Sequence, residues 1–248
     1  MLKFHVITLF PELIDSYCCT SIVGRGVTAG KIAFQAYNPR DFCQDKYRKV
    51  DDTPYGGGAG MVLKPEPIYA AVESITRAEG SPVLLMTPQG VPFQQKHAEA
   101  LATEQDIVLI CGHYEGFDER IRKLVTHEYS LGDFVLTGGE LPALAIIDAV
   151  GRLVPGVLGK SFSLVEESFN AGLLEAPQYT KPVEFRGMVV PEVLRSGNHK
   201  LVAQWRRMQS LKRTAQRRPD LFAAMELSKL DRKLLEKADT DPDLPERS

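Results

Sequence analysis

Five short apolar runs constrain the fold of this chain more than anything else in it: "KFHVITLF" (3–10), "KIAFQAY" (31–37), "PVLLMT" (82–87), "DIVLIC" (106–111) and "DFVLT" (133–137). As a set they lack the strict polar alternation of strands with one wet face. They therefore predict strands covered on both sides, as in a parallel sheet between helices. Helical patterns intervene over 65–79, 94–103, 117–125 and 140–154, and that alternation predicts an α/β domain. Within 140–154, Ala143, Ile146, Ile147, Val150 and Val154 form an apolar stripe, and Arg152 falls away from it.

Three Gly- or Pro-bearing loops follow such runs: "TPQG" (87–90), "CGHYEGFDER" (111–120) and "SLGDFVLTGGELP" (130–142). Ligands of open α/β sheets bind outside the carboxyl ends of strands, so the three loops together predict one crevice. No GxxxxGK[ST] or GxGxxG motif is present. The polar residues nearby are mostly acidic: Glu115, Asp118, Glu119, Asp133 and Glu140. Such a crevice disfavours phosphate and suits an adenine, a ribose and a positive centre. Capping of a helix N-terminus is the ordinary reading of Glu140, Asp118 and Glu119, but it leaves the glycines unexplained.

After residue 154 the texture changes. Residues 155–171, "PGVLGKSFSLVEESFNA", read as a linker, followed by a proline-rich stretch and helical patterns near 199–216 and 226–238. Leu201, Trp205, Met208 and Ala215 form a rough apolar stripe, expected to pack in a core. The tail "DTDPDLPERS" is expected to be disordered. Net charge is −2, yet Arg195 to Arg218 holds eight Lys/Arg and no Asp or Glu. A solvated helix face is the ordinary reading of a charge run. Eight like charges without a carboxylate among them repel one another, however, and favour a polyanionic partner.

The four cysteines show no CxxC pair and the five histidines no HxH or HExxH spacing, so free thiols in a reducing cytoplasm and no structural zinc are expected. No apolar run reaches the roughly 18–20 residues of a membrane span. The N-terminal run lacks a small-residue cleavage site and reads as a first strand rather than a signal peptide.

"DDTPYGGGAGM" (51–61), "CGHYEGFDER", "SLGDFVLTGGELPA", "IDAVGRLVPGVLG", "EESFNAGLLEAPQYTKP" and "VLRSGNHK" closely resemble the bacterial tRNA (guanine-N1)-methyltransferases, the TrmD family of the SPOUT superfamily. The likeness runs from the first strand to about residue 220. It implies a cytoplasmic homodimer with a SPOUT-type α/β fold: a parallel sheet with a deep trefoil knot, plus a small C-terminal helical domain. The expected organisation is a knotted catalytic domain over 1–158, a linker over 159–171 and a helical tRNA-binding domain over 172–248. Chain-topology rules alone argue against a knot.

The resemblance implies S-adenosylmethionine as methyl donor. Its contacts would be Met86, Thr87, Pro88, Gly112, Tyr114, Glu115, Gly116, Ser130, Leu131, Gly132, Asp133, Phe134, Val135, Leu136, Gly138, Gly139 and Pro142. The implied substrate is tRNA carrying guanosine at position 37, just 3′ of the anticodon, preceded by another G. Its N1 carries a proton, so a base and a donor for O6 are required. Arg152 takes the donor role and Glu167 the base role, at a position where familiar members carry Asp. Glutamate reaches one C–C bond (~1.5 Å) further. Glu166 is the rival, and a solvated linker residue is the ordinary reading of either acid. For tRNA contact the expected residues are Tyr55, Gly57, Gly58 and Gly60 at the flipped guanine, with Arg195, His199, Arg206 and Arg213 on phosphates. A mobile surface loop is the ordinary reading of the glycine run. The family allows a magnesium requirement, although no metal-ligand cluster stands out. The rival function is a non-catalytic RNA-binding protein that keeps the fold.

Overall fold

In the computed structural model, which describes residues 1–158, 168–169 and 172–238, alternate residues of the apolar runs enter two different cores. Leu84, Met86, Ile107 and Leu109 join a cluster on one face, whereas Val83, Leu85, Val108 and Ile110 join the cluster on the other. Both faces of these two runs are dry, which is why they show little polar alternation. Each fully buried side chain of this kind contributes about 1.5–3 kcal/mol.

The strands are β1 (Leu2–Ile7), β2 (Ile32–Tyr37), a short antiparallel pair β3 (Asp51–Asp52) and β4 (Val62–Leu63), then β5 (Val83–Pro92), β6 (Asp106–Ile110) and β7 (His127–Ser130). The main sheet has five strands in the order β2-β1-β6-β5-β7, all parallel. Helices α1 (Pro11–Cys18), α2 (Ser21–Thr28), α3 (Pro65–Glu73), α4 (Gln95–Leu101) and α5 (Glu140–Gly151) supply the covering layers. On α5 the expected stripe is buried at Ala143, Ile146, Ile147 and Val150. Midway along β1, the buried His5 bonds the Tyr37 hydroxyl at 3.0 Å and Asp106 at 2.9 Å, so this polar ring is satisfied inside the core. Cys18 and Cys111 are buried free thiols. Burial, and secondarily the Glu140 charge, push the Cys111 thiol well up.

Two expectations need correction. "DFVLT" is not a strand. Pairing with β5 ends at Pro92↔Ser130, and the next residues form an open loop in which Phe134, Val135 and Leu136 are exposed. The strand is "HEYS", whose polar lettering hid it. "TPQG" is not a loop after a strand but an excursion within one: Met86 and Val91 both pair with Tyr129, and 87–90 bulge out between them. The short helices α1 and α2 also escaped periodicity, since α2 carries Gly24 and Gly26 inside a helix of 8 residues.

The chain divides into two contact units, Met1–Ser161 and Phe162–Ser248. The second contains the hairpin β8 (Glu184–Phe185) and β9 (Met188–Val189). It continues as α6 (Glu192–Arg195), α7 (His199–Arg217), α8 (Pro219–Ala223) and α9 (Lys229–Ala238). The Asn198 side chain caps α7 by accepting from Leu201 N at 3.2 Å. The buried face of α7 is Met208, Gln209, Leu211 and Thr214, with Trp205 packed against Met208 and Leu234. Leu201, expected in that stripe, is exposed instead.

The basic run is also less uncompensated than its sequence suggests. Arg207 donates to both Asp231 oxygens at 2.8 and 3.1 Å, and Arg218 pairs with Asp220. The Arg207 guanidinium, helped by Ser228, holds the Asp231 carboxyl down at about 2. The neutralising carboxylates come from beyond the run, which a count within it misses.

Candidate active site

β6, β5 and β7 are neighbours in the sheet, so the segments leaving their carboxyl ends meet in space. They surround a cleft of about 390 Å³, within the usual range for small-ligand sites. Of the seventeen expected donor contacts, all but Asp133 line this cleft. Asp133 lies exposed on the same loop.

Two of the loops meet directly through backbone. Gly139 N donates to Gly112 O at 2.8 Å, and His113 and Gly138 form an isolated antiparallel bridge. At Gly139 a Cβ would stand 2.7 Å from Cys111 Cα and Gly112 N. The Gly-Gly turn is thus required by a close backbone crossing, its own φ of −85° being ordinary. Tyr114 adopts a left-handed φ of 62°, an uncommon conformation for a bulky residue that concentrates at functional sites.

Beneath the turn lies Glu140, 4% exposed. Thr8 Oγ1 donates to its Oε1 at 2.6 Å, and His113 Nε2 shares a hydrogen bond with its Oε2 at 2.7 Å. A capping role does not describe it: the carboxylate clips the end of β1 and the 111–118 loop to the first turn of α5. A half-satisfied buried carboxylate would cost several kcal/mol, so both partners matter.

Arg122 provides a second clip on the rim. It donates to Glu119 at 3.0 Å and Gln89 Oε1 at 2.7 Å, and pairs with Glu128. One planar guanidinium thereby links the 87–90 excursion, the turn over 119–124 and β7, a fork that lysine cannot reproduce. The lining therefore carries Glu115, Glu119 and one arginine already engaged by carboxylates. Phosphate would meet net repulsion there.

The 54–60 segment reaches the cleft lining at its end, where Gly60 lies against Glu115. Gly56, Gly57, Gly58 and Gly60 all have positive φ, which accounts for the glycine run. A Cβ on Gly60 would fall 2.4 Å from Glu115 Cγ. Just beyond, Glu115 N donates to Met61 O at 3.0 Å and Leu63 N to Gly116 O at 2.9 Å. Tyr55 is fully exposed.

Arg152 is the half-buried C-cap of α5, its backbone N donating to Asp148 O at 3.1 Å. Glu166 and Glu167, and the tail from 239, lie outside the described residues. In the second unit His199 opens α7 and is exposed, Arg195 and Arg206 line one cleft, and Arg213 Nη1 donates to Glu175 O at 3.3 Å. Sequence reasoning did not name Gln89, His113, Phe117, Arg122, Tyr129 or Thr137, which also line the first cleft. Arg122 is 33 residues from Gln89 in sequence, so no local pattern announces the pair.

The family model described as tRNA (Guanine-1)-methyltransferase TrmD matches residues 2–224. The chain belongs to this family. A protein named tRNA (guanine-N(1)-)-methyltransferase from Pelotomaculum thermopropionicum is 53% identical over 238 residues, covering 94% of this chain and 95% of its own. One of the same name from Synechococcus sp. strain WH7803 is 58% identical over 221 residues, covering 89% and 91%. Another from Syntrophotalea carbinolica is 54% identical over 245 residues, covering 98% and 99%. Membership in the TrmD family thus extends through the cleft and most of the second unit. Among the described residues no helix is long and apolar enough to cross a membrane.

Proposed function

We propose that this chain transfers a methyl group from S-adenosylmethionine to N1 of guanosine 37 in tRNAs whose preceding nucleotide is G. The observation that carries the reading is the cleft of three joined loops, rich in backbone amides and hostile to phosphate, in a chain that belongs to the TrmD family. The residues present fit the donor. The backbone walls leave room for a flat purine, Met86, Leu131 and Pro142 offer apolar contact, and Glu115 offers a carboxylate to a positive centre. Bound there, S-adenosylmethionine supplies an electrophilic methyl on its sulfonium.

The rest falls to this chain's own side chains. Glu167 accepts the N1 proton, so that the lone pair of N1 is free to attack. Arg152 donates to O6, where negative charge develops as that proton leaves. The 54–60 loop lets backbone approach the unstacked guanine. Arg195, His199, Arg206 and Arg213 hold phosphates, which positions the anticodon loop without reading it. The knot, the homodimer with its shared site, the division at a 159–171 linker, a magnesium requirement and a cytoplasmic location belong to the same reading. They rest on family membership.

Incubation with methyl-labelled S-adenosylmethionine and bulk tRNA, followed by mass-spectrometric mapping of the modified nucleotide, tests the proposal. Label at any other nucleotide, or none at all, rejects it. Two further outcomes are expected. With about four phosphate contacts, tRNA affinity should fall roughly 50-fold between ~50 and ~200 mM salt, and a flat response in filter binding would reject the role of the basic residues. Arg122→Ala removes charge-assisted hydrogen bonds each worth ~1.5–3 kcal/mol. It should weaken donor binding at least ~10-fold by calorimetry, and an unchanged Kd would show that the rim clip is dispensable.

A further inference from the structure

Within the second unit, Ser168 and Phe169 are tied to 172–175, and that stretch is tied in turn to α7. Ser168 Oγ accepts from Glu175 N at 3.0 Å. Phe169 N donates to Leu173 O at 2.7 Å, and Gly172 N donates to Phe169 O at 3.2 Å. Phe169 holds a left-handed φ of 77°, which a bulky residue keeps only where its surroundings over-determine it. The pin to α7 is Thr214, whose Oγ1 accepts from Leu174 N at 2.9 Å across 40 residues of sequence. Beside it Arg213 Nη1 donates to Glu175 O at 3.3 Å, and just past the helix the Arg218 guanidinium stands 6.0 Å over the Phe169 ring.

The ordinary account of a buried helical threonine is a bond back to its own helix, and Thr214 Oγ1 does donate to Ser210 O at 2.7 Å. That bond uses the hydroxyl proton alone. The bond from Leu174 N uses a lone pair, and it fixes a stretch whose preceding residue in sequence is Glu167. Thr214 is wholly buried, so RNA cannot reach it and any influence it has on the reaction is indirect. We propose that Thr214 is a positioning residue: by holding Leu174 it anchors Ser168 to the helix that grips the RNA, and so sets where the adjoining Glu167 carboxylate stands. The inference rests on the base role proposed for Glu167 and supplies a cause for its placement. A general base acts only within hydrogen-bond reach of the proton it takes, and a misplacement of ~1 Å can cost about 10²-fold in rate.

The full-length protein is assayed for single-turnover methyl transfer at saturating S-adenosylmethionine and tRNA, with filter binding of tRNA and thermal melting in parallel. Thr214→Val keeps the shape of the side chain and deletes the oxygen that Leu174 N uses. It should slow transfer about 10-fold or more while tRNA affinity stays that of wild type, and Thr214→Ser should restore the rate. Ser168→Ala, at a partly exposed position, should show the same loss. In a Glu167→Gln background Thr214→Val should add nothing, since groups that act as a unit are not additive. Wild-type turnover by Thr214→Val overturns the proposal. So does a matching loss of tRNA affinity, a multiplied loss in the double variant or a failed serine rescue, each of which marks a merely structural threonine. Should Thr214→Val not fold, Ser168→Ala in the Glu167→Gln background decides by the same non-additivity. Near-normal turnover by Glu167→Gln strikes the base role and the pin with it, whereas an impaired Glu167→Gln beside a normal Thr214→Val strikes the pin alone.

Discussion

Replacing Glu167 with glutamine is expected to lower methyl transfer by about 10²–10⁴-fold, the range for removing a positioned general base, while binding of S-adenosylmethionine is retained. Glutamine keeps the size and hydrogen-bonding capacity of the side chain but cannot take a proton at neutral pH. The loss should therefore appear in single-turnover rates at saturating donor and tRNA rather than in either dissociation constant. Glu167→Asp is the informative companion. It restores the residue familiar in this family and shortens the reach by one C–C bond, ~1.5 Å, so it reports whether the surrounding chain is adapted to the longer side chain. Near-normal turnover by the glutamine variant would transfer the base role to Glu166 or remove it from this segment.

The second large effect is steric. Gly139→Ala would place a methyl 2.7 Å from Cys111 Cα and Gly112 N, so backbone must move at the crossing that joins two of the three loops. Overpacking of this kind costs about 1–3 kcal/mol. Here the displaced atoms line the cleft, and loss of donor binding by at least ~10-fold should accompany the lower melting temperature. Gly151→Ala is the control. Its methyl would meet only Ile32 Cδ1, at an ordinary 3.5 Å, at the last residue of α5, so little change in melting temperature or donor binding is expected. A Gly139→Ala protein that melts and binds donor like the parent would show that the close crossing does not control the cleft.

These two variants probe different levels of information. The role given to Glu167 comes from the likeness of "EESF" and its neighbours to a family. The demand for a glycine at 139 is a fact of packing, visible once Gly112 and Gly139 are seen in contact. The Gly-Gly letters suggest a turn, but they do not say that the backbone just beyond β6, at Cys111 and Gly112, lies against it. Similarly, "DFVLT" reads as a strand because apolar residues normally seek the core. In the folded chain its side chains are left on an open loop, because β7 stops pairing at Ser130 and the cleft claims the next residues. Arg207 and Arg218 read as uncompensated charge until Asp231 and Asp220 arrive from later in the chain.

By itself the sequence determined that the first unit is an α/β layer structure with a buried sheet, that three Gly- or Pro-bearing segments wall one crevice, and to which family the chain belongs. These follow from local apolar runs and ordered motifs, which are written in consecutive residues. Only the tertiary structure decided the strand order, the excursion within β5, the clips made by Glu140 and Arg122, and the bond between Thr214 and Leu174. Each of those depends on groups far apart along the chain, and their meeting is set by the packing of the whole rather than by the preference of any segment.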